Sequence, residues 1–263
     1  MAMKQHRESI IAVFIAGIVA LAYISGLPAA LFPEVEWADV DPVCITLFIN
    51  ILAVMAVGWI LVKRLLPGFP IGFTKKHFQT GLKRYGLSCL IAFAIPCLAF
   101  CVGLAPFDYS PTVWKLLMEG VLYYAGVGLI EEFFCRGLLQ NAMERMLSGR
   151  KNGRLKAVVV TSLIFGLGHI AGMVGMPVLL AVCKIAWAVG LGIYLGAVYT
   201  RTGNLWLAAL FHWVIDLCGL PFCFSTQKTY PTISAAVILI TFILFGIYGV
   251  FLVRQEDSVR ESK

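Results

Sequence analysis

Across 263 residues, 60% are hydrophobic and only 13% are charged, with a mean hydropathy of +0.88. Soluble domains carry roughly 25% charged residues, so this composition excludes a soluble fold and spends the chain on crossing a membrane. The net charge of +7 calls for no nucleic acid, because basic cytoplasmic loops routinely supply such an excess.

Taken in chain order, the first charge-free run is Ile10–Phe32. It follows Lys4 and Arg7 as a signal-peptide core would, but it is too long for one and is read as a retained helix. The connection Pro33–Pro42 carries Glu34, Glu36, Asp39 and Asp41 and no base. A second run, Val43–Val62, leads into Lys63, Arg64, Lys75, Lys76, Lys83 and Arg84. That basic connection reads as an interfacial segment lying against anionic headgroups. The third run is Gly86–Phe107, with Asp108 in the loop behind it.

Four less regular segments follow: Val113 to about Glu144, Ala157–Met176, Val178–Thr200 and Asn204–Phe222. The last run is Thr232–Val253. Arg145, Arg150, Lys151, Arg154 and Lys156 follow the fourth span, Arg201 the sixth, and Arg254, Arg260 and Lys263 the eighth. Every basic cluster therefore falls on one side, which the positive-inside rule assigns to the cytoplasm. The expectation is an all-α bundle of about eight transmembrane helices in the cell membrane. It forms one integral membrane domain over 1–263, with both termini cytoplasmic. The eight cysteines show no CxxC pair; Cys97 and Cys101, one turn apart in an apolar span, read as small hydrophobes.

Ionisable side chains inside a bilayer are costly and mark function. Those expected within the spans are Lys115, Glu119 and Lys184 towards the outer side, then Glu131, Glu132, Arg136, His169, His212 and Asp216. At about 1.5 Å per residue, Glu131 lies roughly 20 Å from Glu144, His169 about 18 Å from Ala157, His212 about 12 Å from Asn204 and Asp216 about 18 Å. Three helices thus bring ionisable groups to similar depths, as a shared hydrated cavity would require. Glu132 with Arg136, and His212 with Asp216, are i,i+4 pairs that share a helix face, while Glu131 points elsewhere. The glycines before His169 allow a neighbouring helix to approach. Glu119 and Lys184, at similar depth, read either as an ion pair or as a lysine reaching for the interface.

A carboxylate beside a neutral imidazole can bind a water and take its proton, and the hydroxide can attack a peptide carbonyl. A second imidazole can donate to the oxyanion. Glu131 and His169 fit the first role; His212, with Asp216, fits the second. Two His and a carboxylate are also common zinc ligands, but HExxH and its inverse are absent, so the preferred reading has no cofactor. Cys135 reads as packing rather than as a nucleophile, and no serine sits in a GxSxG turn. The plain alternative is that Glu132–Arg136 and His212–Asp216 only bind helices together.

Glu131-Glu132-Phe133-Phe134-Cys135-Arg136 has the form EExxxR, Phe165-Gly166-Leu167-Gly168-His169 the form FxxxH, and His212-Trp213-Val214-Ile215-Asp216 the form HxxxD. In these three motifs, taken in order, the chain resembles the CPBP family of intramembrane proteases. This is the CAAX-protease and bacteriocin-processing group also called abortive-infection proteins. The resemblance covers roughly 113–220 as a catalytic core. It implies a glutamate-dependent endopeptidase with Glu131 as base, His169 positioning water, and His212 with Asp216 at the oxyanion, Glu132 and Arg136 supporting. Asp216 stands where CAAX proteases carry asparagine, so it is either neutral or orients His212. The expected substrate is a membrane-associated, prenylated or leader peptide reached from the cytoplasmic side, with the lipid bilayer as the other partner. The rival readings are an immunity or signalling scaffold without catalysis and a small transporter, although no inverted repeat is detectable.

Overall fold

The structure of the chain, a computed structural model, describes residues 2–26, 35–227 and 231–261. Residues 27–32 of the first expected run, Pro33, Glu34, Lys263 and the side chain of Arg260 lie outside that description. Among the described residues, eight helices are long and apolar enough to cross a membrane: α1 (Ala2–Ser25), α2 (Pro42–Leu65), α3 (Phe78–Gly103), α4 (Val113–Met146), α5 (Gly153–Met173), α6 (Val178–Thr202), α7 (Leu205–Cys223) and α8 (Thr232–Glu261). The chain is a multi-pass integral membrane protein. Among the described residues the only β pairing is two isolated bridges, Trp37–Val40 and Phe107–Ser225.

Local chemistry sets the helix ends. Pro42 opens α2 behind Asp41, whose carboxylate accepts from the Val43 N–H at 2.9 Å. Asn204 caps α7 in the same way, accepting from Leu207 N at 2.9 Å. Gly203, at φ +60°, closes α6 by returning its N–H to Tyr199 O at 2.7 Å. The first helix starts before Lys4 rather than at Ile10, because charges near a helix end can reach water and do not stop it. Glu8 takes up Arg145 of α4 at 3.2 Å. For the same reason α3 begins at Phe78, with Lys83 and Arg84 inside it rather than ahead of it.

α6 and α7 are the central helices, with 50% and 56% of their apolar windows buried against 22–39% for the other six. α6 packs against α8 through backbone: a Cβ on Gly190 would meet the Phe242 carbonyl, so only glycine fits.

The connection after α2 departs from the expected interfacial stretch. Leu66, Phe69 and Ile71 are buried, and residues 70–76 are tied into the bundle. Leu205 N donates to Gly72 O at 2.8 Å and Tyr199 Oη to Ile71 O at 3.0 Å. Asn204 Nδ2 donates to both Thr74 O and Lys76 O at 2.7 Å, and Asn141 Nδ2 donates to Pro70 O. Irregular backbone at the bundle needs protein donors for its carbonyls, and these side chains provide them. The segment is a docked clamp beneath α4, α6 and α7.

Candidate active site

The three motifs sit where helices change type. Glu131 and Glu132 end an α-helical stretch of α4, and a wide π-type winding, Phe133–Gln140, begins at the next residue. His169 opens the 3₁₀ turn His169–Met173 that closes α5. Asp216 ends the α-helical part of α7 before the 3₁₀ turn Leu217–Cys223. Such local re-windings inside helices recur at functional sites. α4 and α7 come together because Gly128 has no side chain. A Cβ there would stand 3.0 Å from Trp213 N and 3.2 Å from Ala209 O. Trp213 Nε1 donates to Val121 O at 3.1 Å and fixes the register of the two helices. Gly166 does the same between α5 and α6, against Ile185 O, whereas Gly168 has open space beside it.

Glu132 is fully buried and divides its carboxylate between two helices. Oε1 accepts from His212 Nδ1 at 2.8 Å, and Oε2 lies 3.2 Å from Arg136 Nε. Arg136, buried with it, donates from Nη2 to Gly192 O at 3.0 Å and stacks 5.0 Å over the Phe165 ring. Because a carboxylate only accepts, Nδ1 of His212 is the donor, and its Nε2 is left facing Glu131 Oε2 at 3.6 Å and Asp216 Oδ2 at 3.5 Å. Glu131 Oε1 also accepts from the Tyr23 hydroxyl of α1 at 3.3 Å. His169 directs Nδ1 to Phe165 O at 2.9 Å. A carbonyl only accepts, so Nδ1 carries the proton and a neutral ring offers its Nε2 lone pair. The Phe165 ring meets both imidazoles edge-on, His169 at 4.9 Å and His212 at 5.8 Å.

Glu131, His169, His212 and Asp216 open into one cavity of about 600 Å³. Its other walls are largely apolar and aromatic, with Tyr23, Tyr123, Trp187 and Phe222 among them. The lining runs from mid-helix (Leu191, Phe242) to the helix ends at Ile24, Met173 and Phe222. Those ends belong to the loops after α1, α3, α5 and α7. None of Lys63, Arg145, Arg150 and Arg201 is among the described lining residues.

The geometry gathers all six residues singled out by the motifs, with one difference of connection. Among the described residues His169 makes no hydrogen bond to Glu131; the two face each other's space across the cavity. The Glu119–Lys184 pair is absent. Glu119 Oε1 accepts from Asp41 N at 2.7 Å and lies 3.8 Å from Lys115 Nζ, while Lys184 lines the cavity with Nζ 5.1 Å from the Trp187 ring. Glu119 sits beside a free backbone donor of the first loop, which it can satisfy without crossing the bundle. Tyr23 and the bond from Glu132 to His212 were not legible: a lone tyrosine in an apolar helix carries no signal, and Glu132 was fully accounted for by Arg136. Among the described residues no three His, Cys, Asp or Glu are disposed to hold a metal ion. All eight cysteines are free thiols, and Cys135 is packed in the core.

Residues 112–218, which hold all three motifs, match the sequence family described as type II CAAX prenyl endopeptidase Rce1-like. No curated protein matches the chain.

Proposed function

We propose, from the match of residues 112–218 to the family described as type II CAAX prenyl endopeptidase Rce1-like, that the chain is a membrane-embedded protease in which Glu131 activates water against a peptide bond held in the cavity. The observation that carries this reading is the division of labour between adjacent glutamates. Glu132 is fully buried and engaged by both Arg136 and His212, whereas Glu131 faces open space.

In the proposed reaction, a water donates one proton towards Glu131 and the other to Nε2 of His169, whose Nδ1–H is anchored on Phe165 O. Both hydrogens are then held and the oxygen lone pair is free to attack. Glu131 takes the proton as the new C–O bond forms, and negative charge develops on the carbonyl oxygen. His212, protonated on both ring nitrogens, donates to Glu132 through Nδ1 and to the oxyanion through Nε2. Asp216, 3.5 Å from Nε2, orients that donor rather than giving a proton itself. Collapse of the tetrahedral species breaks the C–N bond as Glu131 returns its proton to the leaving amine. No cofactor enters this sequence.

The substrate is a peptide with an apolar or lipid-modified portion that fits the aromatic walls. It enters from the end of the bundle opposite the basic loops, which the positive-inside rule places outside the cytoplasm. Prenylated, leader and pheromone-type peptides share the required chemistry.

The test compares membrane and released peptides, by mass spectrometry, from cells carrying Glu131→Gln, His169→Ala and His212→Ala. Thermal stability in detergent is measured alongside. One precursor accumulating uncleaved in all three stable variants, with wild-type cleavage insensitive to a zinc chelator, supports the mechanism. Stable variants that leave every peptide unchanged would return the cavity to a scaffold role, and chelator-sensitive cleavage would reinstate a metal.

A further inference from the structure

One charged residue of the cavity has no part in the proposed chemistry. Lys184 projects from α6, about 9 Å from the start of the helix at about 1.5 Å per residue. It is the only lysine or arginine among the described lining residues. It is half-buried, its ammonium lies 5.1 Å from the Trp187 ring centroid, and among the described residues it makes no ion pair. A lysine kept only to balance Asp216 or Glu131 would close on one of them, as Lys115 does on Glu119 at 3.8 Å. A lysine kept only for the interface would extend to the helix end, where Val178, Leu179 and Val182 are exposed to lipid. Lys184 does neither. It turns inward onto an aromatic face and, held beyond ion-pairing distance of the Glu131 and Asp216 carboxyls whose charge it feels, presents its cation to the space in which the substrate is cleaved.

We infer that Lys184 anchors a carboxylate of the peptide substrate. This inference rests on the protease reading for its location and concerns binding rather than hydrolysis. A single ammonium in a cavity that already holds two carboxyls matches a monoanion. A phosphate or diphosphate group would call for several cations or an arginine fork. Burial strengthens the contact, because the apolar walls lower the local dielectric around it. The position sets the register: the carboxylate docks on the outer side of the Glu131–His212 pair, so the bond presented to Glu131 lies a short way N-terminal or C-terminal of it. The source is either the chain's own C-terminal carboxylate or an Asp or Glu side chain close to the cleavage point.

The experiment uses the purified full-length protein in detergent and a dansylated farnesyl-cysteine peptide with three residues after the cysteine. The probe is made as the C-terminal acid and the C-terminal amide. A second amide pair carries Glu or Gln among those three residues. Binding is read by fluorescence to wild type, Glu131→Gln, Lys184→Met and Lys184→Arg, and cleavage is followed separately. The expected result is that the acid, or the Glu peptide, binds about tenfold tighter than its neutral partner in wild type and in Glu131→Gln. The preference collapses in Lys184→Met and survives in Lys184→Arg. Which of the two pairs shows the preference identifies the source of the carboxylate. Charged and neutral partners binding within twofold of one another, a preference that persists in Lys184→Met, or no binding by any of the peptides would each overturn the inference. A retained preference without any cleavage would instead overturn the protease mechanism and leave the anchor standing.

Discussion

The two ends of the bundle use the same kinds of residue in opposite ways. At the end with the basic loops, the interior polar side chains are mostly tied to protein partners, although Gln140 Oε1 is left without one. Gln140 donates to Gly196 O at 3.1 Å and to Glu144 and Thr200 at 2.9 Å, Thr200 donates to Glu144 at 2.7 Å, and Asn204 and Tyr199 hold the carbonyls of residues 71–76. Around the open cavity, the contacts of Glu131 and of His212 Nε2 lengthen to 3.3–3.6 Å, and Glu131, His169 and Asp216 keep unused hydrogen-bonding capacity. A buried polar group that is fully bonded contributes stability and specificity; one left partly unbonded costs stability and remains available to a substrate. The boundary between the two regimes runs between neighbouring residues, Glu131 and Glu132.

Neutralising each glutamate in turn separates the two regimes. Glu131→Gln keeps the shape and removes the base, so cleavage is expected to fall by about 10²–10⁴-fold with an unchanged melting temperature. Equal loss of stability and activity would mean that Glu131 belongs to the structural half. Glu132→Ala has the reverse signature. It leaves Arg136 buried without its partner and frees Nδ1 of His212. Breaking a buried pair on one side costs about 3–5 kcal/mol, read as a shift in the denaturation midpoint. Pairing Glu132→Met with Arg136→Leu should recover much of that loss without recovering cleavage, because His212 remains unanchored. A double variant no more stable than Glu132→Ala would show that the cost lies in packing instead.

At the tied end the expected effects are smaller and confined to stability. Asn204→Leu removes the donor shared by Thr74 O and Lys76 O and the cap of α7. Unsatisfied buried groups cost about 1–3 kcal/mol each, so the variant should melt earlier and exchange amide hydrogens faster in residues 70–76. Its rate per folded molecule should stay near wild type. A variant that keeps its clamp protected but loses activity would move Asn204 into the site.

Much of this was legible beforehand, and the gaps have physical causes. Charge-free runs located four of the eight helices and long, sparsely charged apolar segments the other four, because charge inside a span is costly and therefore rare. Motif spacing located Glu131, His169 and His212, because i,i+4 pairing and depth depend only on helical geometry. What a linear pattern cannot carry is which neighbour a side chain meets across the bundle. Phe165 looked like a motif letter, yet it is the surface on which Arg136 and both histidines pack. Equal depth left Lys184 open to a pair with Glu119 or to the interface, and the two helices present these side chains to different partners. The docked stretch 66–76 read as interfacial from its bases, whereas its apolar residues decide where it lies.

The smallest expected effect probes the loop end of the cavity, where Asp39 ties the first loop to the start of α4. Its carboxylate accepts from Thr112 N at 2.9 Å and from the Thr112 hydroxyl, and these donors hold it below the usual carboxylate range. A carboxyl whose folded value is depressed contributes stability that is complete above the unfolded value, near 3.9, and is lost as pH falls through the folded value. Because Asp39 is exposed, the contribution is modest and screened by salt. The adjacent Trp37–Trp114 ring pair, with centroids 5.0 Å apart, reports on the junction. Tryptophan fluorescence of the wild type should change as pH is lowered below about 4, and Asp39→Asn should flatten that transition while Asp108 still titrates. An identical transition in Asp39→Asn would assign it to another acid and show that the first loop stays in place without this charge.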